Sequence, residues 1–85
     1  MLYRIAWKPS AERAFRKLSR QSQDRIRPRI DALATNPRPD GVKKLEGDDN
    51  AWRIRVGEFR IVFEIHDAVV MVMILRVANL RDAYR

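Results

Sequence analysis

Apolar residues recur with two different periods along this chain. After a short alternating stretch at residues 3–7, they follow the i, i+3, i+4, i+7 spacing of one helix face from about residue 11 to residue 34. From about residue 43 they occupy every second position, as in half-buried strands. Residues 36–41 hold two of the four prolines and separate the two patterns. The pattern predicts one α+β domain, residues 1–85, of order β-α-α-β-β-β, with two N-terminal helices packed on a small antiparallel sheet.

The N-terminal segment is predicted to form a strand and then a helix. Tyr3, Ile5 and Trp7 alternate with polar or small residues, which indicates a short strand that ends at the first proline. Ser10 is the predicted N-cap of the first helix, and helical spacing of the apolar residues extends this helix to about Leu18.

A second helix is predicted to begin at Ser22, its expected N-cap. Ile26, Ile30 and Leu33 then lie on one face. Pro28 falls near the end of the first turn, so the helix is expected to start late or to kink.

A β-hairpin is predicted around Gly57 and Glu58, because a two-residue loop with glycine first suits a type II′ turn. Counting outward pairs Val56 with Phe59, Arg55 with Arg60, Ile54 with Ile61 and Trp52 with Phe63. One face of the hairpin is then apolar and is expected to lie on the helices. The opposite face carries Arg53, Arg55 and Arg60.

A third strand, residues 69–77, is predicted after a turn at Asp67 and Ala68. It is apolar on both faces, and only one face can cover the helices. The other face is either covered by neighbouring chain or exposed as a patch, and we expect a protein partner there that supplies a helix or a strand. The end of this strand returns beside Phe59 and Arg60, which brings the C-terminal tail near the arginines.

The arginines of the hairpin suggest an anionic ligand. Like charges directly across a strand pair are destabilising, and a phosphate reverses this interaction by accepting paired guanidinium hydrogen bonds. Three arginines covering a solvated sheet face are the structural alternative. In the tail, Arg81 is a candidate for a further cation of the site, with a solvated surface charge as the alternative. Tyr84 is a candidate surface for base stacking, with a core or interface aromatic as the alternative.

The overall charge supports the same interpretation. The 85 residues contain 18 Lys+Arg against 11 Asp+Glu, a net charge of +7, and 14 of the basic residues are arginine. Arginine favours bidentate phosphate recognition, although a GC-rich genome gives the same bias. A polyanionic partner is therefore expected.

Other chemistry is excluded by residues the chain lacks. It contains no cysteine and one histidine, His66, which leaves no disulfide, thiolate nucleophile or multi-histidine metal cluster. We expect no metal and no cofactor. The longest apolar run, residues 68–75, is far shorter than a membrane span, and the first residues lack a signal-peptide core. A cytoplasmic protein without membrane attachment is predicted.

The segment KKLEGDDNAWRIRVGEFRIVFEI, followed by a strand and the terminal RDAYR, resembles the RelE/ParE superfamily of bacterial type II toxins, and is nearest to RelE. The resemblance covers essentially the whole chain. It implies a RelE-like fold and an endoribonuclease that enters the ribosomal A site, cuts the mRNA codon there and so inhibits translation. It also implies a cognate antitoxin that neutralises the basic surface in a toxin–antitoxin hetero-oligomer.

The resemblance also implies roles for individual residues. Arg53 and Arg55 match basic strand residues that bind and activate the scissile nucleotide, and Arg60 matches an arginine that stabilises its phosphate. Tyr84 matches a terminal tyrosine that orients or stacks with the substrate base. Related toxins often have glycine, His or Lys, then arginine where this chain has Ala78-Asn79-Leu80, so the expected arginine is either displaced to Arg81 or missing.

Cleavage without a metal requires the 2′-OH to attack the adjacent phosphate in line, which gives a cyclic phosphate and a 5′-OH. Arginine is a poor proton acceptor, so Arg53 and Arg55 are expected to stabilise the pentacovalent phosphorane rather than to act as bases. Lys43 and Lys44 are predicted to bind RNA. Lys43, Lys44, Glu64 and His66 are the nearest titratable groups that could take up a proton in place of the arginines. Ordinary surface roles are the alternative for each of them.

Two other functions compete with RNA cleavage. A ParE-like toxin inhibits DNA gyrase by binding and does not use a cation cluster beside a tyrosine; the altered Asn79-Leu80 segment is its best support. A general basic RNA-binding module is disfavoured, because no exposed aromatic residues interleave with the basic strands.

Overall fold

A computed structural model describes residues 2–47 and 50–83, which form a helical layer packed on one five-stranded sheet. In chain order the elements are β1 (Arg4–Trp7), α1 (Pro9–Arg16), α2 (Arg20–Ala32), β2 (Lys43–Lys44), β3 (Ala51–Val56), β4 (Phe59–His66), β5 (Met71–Asn79) and α3 (Leu80–Ala83). The strand order is β1-β5-β4-β3-β2. The predicted α+β class is confirmed.

The sheet differs from the prediction at its two edges. β1 pairs with β5 in parallel, whereas all other neighbours are antiparallel, so the sheet is mixed. The chain leaves β1 through two helices rather than a tight turn, and such a connection permits parallel pairing. At the other edge, the two-residue strand β2 adds to β3.

Both helices begin earlier than predicted. α1 starts at Pro9 with Lys8 as its N-cap. Proline suits the first helical position, because a backbone N–H there would have no hydrogen-bond partner within the helix. α2 is capped by Ser19 instead of Ser22: the Ser19 Oγ accepts a hydrogen bond from the Ser22 backbone N–H at 3.1 Å. Pro28 consequently lies inside α2 and not in its first turn.

The core lies between the helices and the inner face of the sheet. Each of its largest fully buried side chains is one that the apolar periodicity predicts: Ile26, Ile30, Leu33, Ile61, Phe63, Val72 and Ile74. Because the odd-numbered positions of β4 all face this core, its even-numbered positions share the outer face of the sheet. Among the described residues, no helix is both long and apolar enough to cross a bilayer.

The hairpin register is confirmed at every predicted pair, including Arg55 opposite Arg60. Gly57 has a φ of +60°, whereas Glu58 does not have a positive φ. This combination is the one a type II′ turn requires. The Arg25 side chain of α2 crosses over Gly57, where the absence of a Cβ leaves room for it.

We expect Gly57→Ala to lower the free energy of unfolding by about 1–2 kcal/mol, because an L-residue is strained in the left-handed region. The added Cβ would also lie 2.8 Å from Nη1 of Arg25, which must move aside. Urea denaturation measures the change. Glu58→Ala, in the same turn, is the control and should change stability by less than about 0.5 kcal/mol; equal effects in the two variants would contradict the turn assignment.

β5 begins two residues later than predicted, because a 3₁₀ turn (Asp67–Val69) precedes it and Val70 adopts a left-handed conformation. Its second apolar set is half-buried at Met71, Met73 and Leu75, and only Val69, in the turn, is openly exposed. The second apolar set of β5 is therefore partly covered and does not form an open patch. A protein partner on this face stays a prediction.

Candidate functional site

The outer face of the sheet brings four cations together. Lys43 of β2 lies opposite Arg53 of β3, and Arg55 of β3 lies opposite Arg60 of β4. We call Lys43, Arg53, Arg55 and Arg60 the basic cluster. Directly opposed strand residues have Cβ atoms about 5 Å apart, so the two rows form one compact positive surface.

The basic cluster lines a recess of about 180 Å³ together with Gly41, Ile54 and Leu80. Within the described residues, no carboxylate lines this recess and none forms an ion pair with the cluster. The Arg55 Nε donates to the Gly57 carbonyl at 3.0 Å, which fixes this guanidinium at the hairpin end of the recess. Arg53 and Arg60 are half-buried. The cluster therefore holds uncompensated positive charge in a partly enclosed space.

The C-terminal tail begins at this recess. The Leu80 N–H donates to the Glu58 carbonyl at 2.7 Å, and Asn79 lies opposite Phe59, so the tail is fastened to the tip of the hairpin. The Asn79 Oδ1 accepts from the Arg81 N–H at 2.9 Å and caps α3. The prediction that the tail emerges beside the arginines is confirmed.

The structure does not gather all the predicted site residues. Lys44 pairs with Trp52, and because neighbours on a strand point to opposite faces, it lies away from the recess that Lys43 lines. Arg81 is exposed, and Leu80 lines the recess in its place. Tyr84 lies outside the described residues.

A second polar cluster lies at the far end of the hairpin strands. The Tyr3 hydroxyl donates to Asp67 Oδ1 at 2.6 Å, and Arg38 binds both oxygens of the same carboxylate, at 3.3 and 2.8 Å. The Arg38 guanidinium also lies over the Trp52 ring, 5.2 Å from its centroid. These contacts join the segment just before β1, the loop after α2 and the turn after β4. These contacts stabilise the fold, and none of their residues lines the recess.

Asp67 makes the stability of this second cluster dependent on pH. Hydrogen bonds, first from Arg38 and then from Tyr3, lower the pKa of Asp67 from its ordinary 3.8 to about 2. A carboxylate whose pKa is lower in the folded state stabilises the fold above its unfolded pKa, and this stabilisation is lost as the pH falls through the folded pKa.

We therefore expect Asp67→Asn to lower the unfolding midpoint at pH 5–7, and the difference from the parent chain to shrink between about pH 4 and pH 2. Thermal denaturation across this range measures it. Asp31→Asn, which removes an exposed carboxylate on α2, is the matched control. A difference that is constant with pH would show that the charge of Asp67 is not what stabilises the turn.

An open groove of about 600 Å³ runs between α1 and β5. β1 pairs with β5 only as far as Ile74, so residues 75–79 have no strand neighbour on that side within the described residues. Small and apolar side chains, including Ala11, Ala14 and Leu18, form much of its lining. Lys8, Lys17 and Arg76 supply positive charge along it.

Comparison with known proteins identifies the family. Residues 5–84 match the family model described as the ParE toxin of the type II toxin-antitoxin system parDE. The chain belongs to the RelE/ParE superfamily of type II toxins. A curated relative, the putative toxin RelE1 of Methanocaldococcus jannaschii, is 30% identical over 59 residues. That match covers 66% of this chain and 66% of the relative, just under two thirds of each.

Solved RelE structures share the RelE/ParE fold seen here. The similarity to the archaeal RelE-RelB complex of Pyrococcus horikoshii has a TM-score of 0.82 at 25% identity, covering 93% of this chain and 96% of that one. The RelBE2 toxin-antitoxin complex of Mycobacterium tuberculosis gives 0.81 at 23% identity, with 93% and 99% covered. The isolated RelE toxin of E. coli gives 0.81 at 20% identity, with 96% and 95% covered.

Proposed function

We propose that this RelE/ParE toxin is an endoribonuclease that cleaves mRNA in the ribosomal A site. The observation that carries the proposal is the direct opposition of Arg55 and Arg60 beside Arg53 in the recess. Such a like-charge pair destabilises a sheet that has no ligand, and a phosphodiester neutralises it through charge-assisted hydrogen bonds. The size and charge of the recess therefore suit a phosphate group of RNA.

The reaction that suits these side chains is an intramolecular transfer. The 2′-hydroxyl loses its proton to water as its oxygen forms a bond to the adjacent phosphorus, the bond from phosphorus to the 5′-oxygen breaks, and the 5′-oxygen takes up a proton from water. The net change moves one proton from the 2′-oxygen to the 5′-oxygen. The products are a 2′,3′-cyclic phosphate and a 5′-OH. Arg53, Arg55 and Arg60 would stabilise the doubly charged phosphorane, because fixed cations act most strongly where charge develops. Lys43 would bind a neighbouring part of the RNA backbone.

The tail is the proposed source of the remaining contacts. Leu80 holds its start at the recess, and Tyr84 follows four residues later, close enough in sequence to stack on a base held there. Arg81 is the proposed tail cation. Its side chain is exposed at the start of α3, so its contribution depends on RNA being present.

A RelB-type antitoxin is the proposed partner, in a toxin–antitoxin hetero-oligomer. The solved relatives include RelE bound to RelB. In this chain, the groove between α1 and β5 combines an apolar lining, unpaired strand backbone and the cations Lys8 and Lys17. An acidic segment with apolar residues, laid along this groove, would satisfy all three features.

Gyrase inhibition is the competing function. The family model that matches is named for ParE, and Leu80, which brings no charge, lines the recess where the tail begins. Inhibition by binding would leave RNA intact and would not need opposed arginines. The ribosome and mRNA are therefore the proposed targets, with gyrase as the alternative.

Primer extension on mRNA from cells that express the chain separates the two functions. Cuts at fixed positions within codons are expected if the chain is an endoribonuclease. Intact transcripts together with impaired plasmid supercoiling would instead assign the chain to gyrase inhibition and overturn the proposal.

A further inference from the structure

A β-bulge in β5 changes the face on which Arg76 lies. Val62 of β4 pairs with Arg76 and Phe63 pairs with Ile74, so Leu75 is an extra residue with no partner of its own. Without the bulge, alternation from Val72 and Ile74 would direct Arg76 into the core. With it, Val77 takes the next buried position and Arg76 is exposed.

Arg76 thereby joins the outer face that carries the basic cluster. Val62 is the centre of this part of the face: Arg53 pairs with it from β3 and Arg76 pairs with it from β5. The backbones of Arg53 and Arg76 are two strand spacings apart, about 10 Å. Arg60 precedes Val62 by two positions on the same face and is a diagonal neighbour of Arg76, within reach of a long side chain.

The surroundings leave the Arg76 guanidinium available to a ligand. On β5, Ala78 lies between Arg76 and the recess, opposite Arg60. The Ala78 side chain is too small to separate the two arginines. Among the described residues, no carboxylate forms an ion pair with Arg76. Arg76 also lines the groove between α1 and β5, so its charge lies without compensation at the border between this groove and the basic cluster.

We propose that Arg76 binds a second phosphate of the RNA, next along the backbone from the phosphate held by the basic cluster. This inference rests on the proposed function and makes Arg76 a binding residue rather than a catalytic one. A chain of phosphates crossing the face above Val62 would contact Arg53, Arg60 and Arg76 in turn. The bulge at Leu75 is the structural feature that extends the phosphate-binding surface onto β5.

The test measures binding of a single-stranded RNA whose 2′-oxygens are methylated, so that it binds without being cut. The dissociation constant is determined over a series of salt concentrations for the parent chain and for Arg76→Ala, Arg76→Lys and Arg29→Ala. Arg29 is exposed on α2, in the helical layer. Arg29→Ala is the control, because it removes the same charge at a site away from the outer face of the sheet. Thermal denaturation confirms that each variant is folded.

We expect Arg76→Ala to weaken binding about tenfold, the loss of one charge-assisted contact. The slope of log K against log salt should become shallower by about 0.7, the value for one phosphate on a single strand. Arg76→Lys should keep the slope, and Arg29→Ala should change neither quantity. On ribosomes that hold a cleavable mRNA codon in the A site, Arg76→Ala should raise KM and leave kcat nearly unchanged.

Three results would overturn the inference. If Arg76→Ala and Arg29→Ala bind RNA alike while substitution of Arg55 and Arg60 abolishes binding, the proposed function stands and Arg76 is not part of it. If Arg76→Ala leaves RNA binding unchanged but weakens binding of an acidic peptide, Arg76 belongs to the groove between α1 and β5. If the parent chain itself shows no salt-dependent RNA binding, the proposed function and this inference both fail.

Discussion

An Arg55→Ala/Arg60→Ala double variant is expected to cut RNA at least about a thousandfold more slowly than the parent chain and to be as stable or more stable. The two guanidinium groups lie directly across from each other in the recess. In the reaction they would stabilise charge on the phosphorane, and removing one such group commonly costs a hundredfold or more. In the free protein they repel each other, so their removal relieves about 0.2–1 kcal/mol.

The opposite signs of these two effects make the double variant informative. Cleavage rate and urea denaturation are measured on the same preparations. Arg13→Ala/Arg29→Ala removes two exposed helical arginines and the same charge, and it should retain cleavage. Cleavage that survives in the Arg55→Ala/Arg60→Ala variant, together with a clear loss of stability, would mean that the pair has a structural role instead.

Phe63→Ala is expected to cost about 3–5 kcal/mol of stability and to remove activity by unfolding. Phe63 is fully buried, pairs with Trp52 on one side and Ile74 on the other, and is the largest of the fully buried side chains. For 85 residues the total stability is roughly 4–13 kcal/mol. The loss is therefore a large part of the total, and the variant should be marginal or unfolded at 37 °C.

Circular dichroism with urea denaturation measures the effect of Phe63→Ala. Phe63→Leu keeps much of the volume and should cost less than about 1.5 kcal/mol, and Val69→Ala, at an exposed turn position, less than about 0.5 kcal/mol. A Phe63→Ala chain that is as stable as the Val69→Ala chain would show that the core is not packed as described.

The hairpin could be predicted residue by residue because its signals are local. A two-residue turn with glycine first determines the register, and strict alternation determines the faces. The arrangement of Arg53, Arg55 and Arg60 follows from these two signals alone. The buried positions of α2 are likewise predicted by helical spacing, although Ser19 rather than Ser22 begins the helix, since both serines are good caps three residues apart.

The features that were not predicted depend on contacts distant in sequence. The parallel pairing of β1 with β5 joins residues more than 60 positions apart, and nothing in the first strand specifies its neighbour. The bulge at Leu75 is the clearest case, because it reverses alternation and places Arg76 outside. The sequence did contain one signal for this bulge: Arg76 is charged, and strict alternation would bury it in an otherwise apolar strand.

The place of the strand arginines in the sheet could be predicted from the sequence, whereas their roles in a site stay predictions. Lys43 joins the recess and Lys44 does not, because the short strand β2 directs them to opposite faces. Leu80 departs from the family pattern, and it lines the recess where the resemblance implies a cation. The roles of Arg81 and Tyr84 stay predictions.

Cleavage by the purified chain on ribosomes stalled with a defined mRNA codon in the A site tests the central claim most directly. The account predicts a single cut within that codon, with a 2′,3′-cyclic phosphate on one fragment and a 5′-OH on the other. The cut should be absent with the Arg55→Ala/Arg60→Ala variant and present with Arg13→Ala/Arg29→Ala. An mRNA that stays intact with the folded parent chain, or is cut equally by the Arg55→Ala/Arg60→Ala variant, would contradict the account.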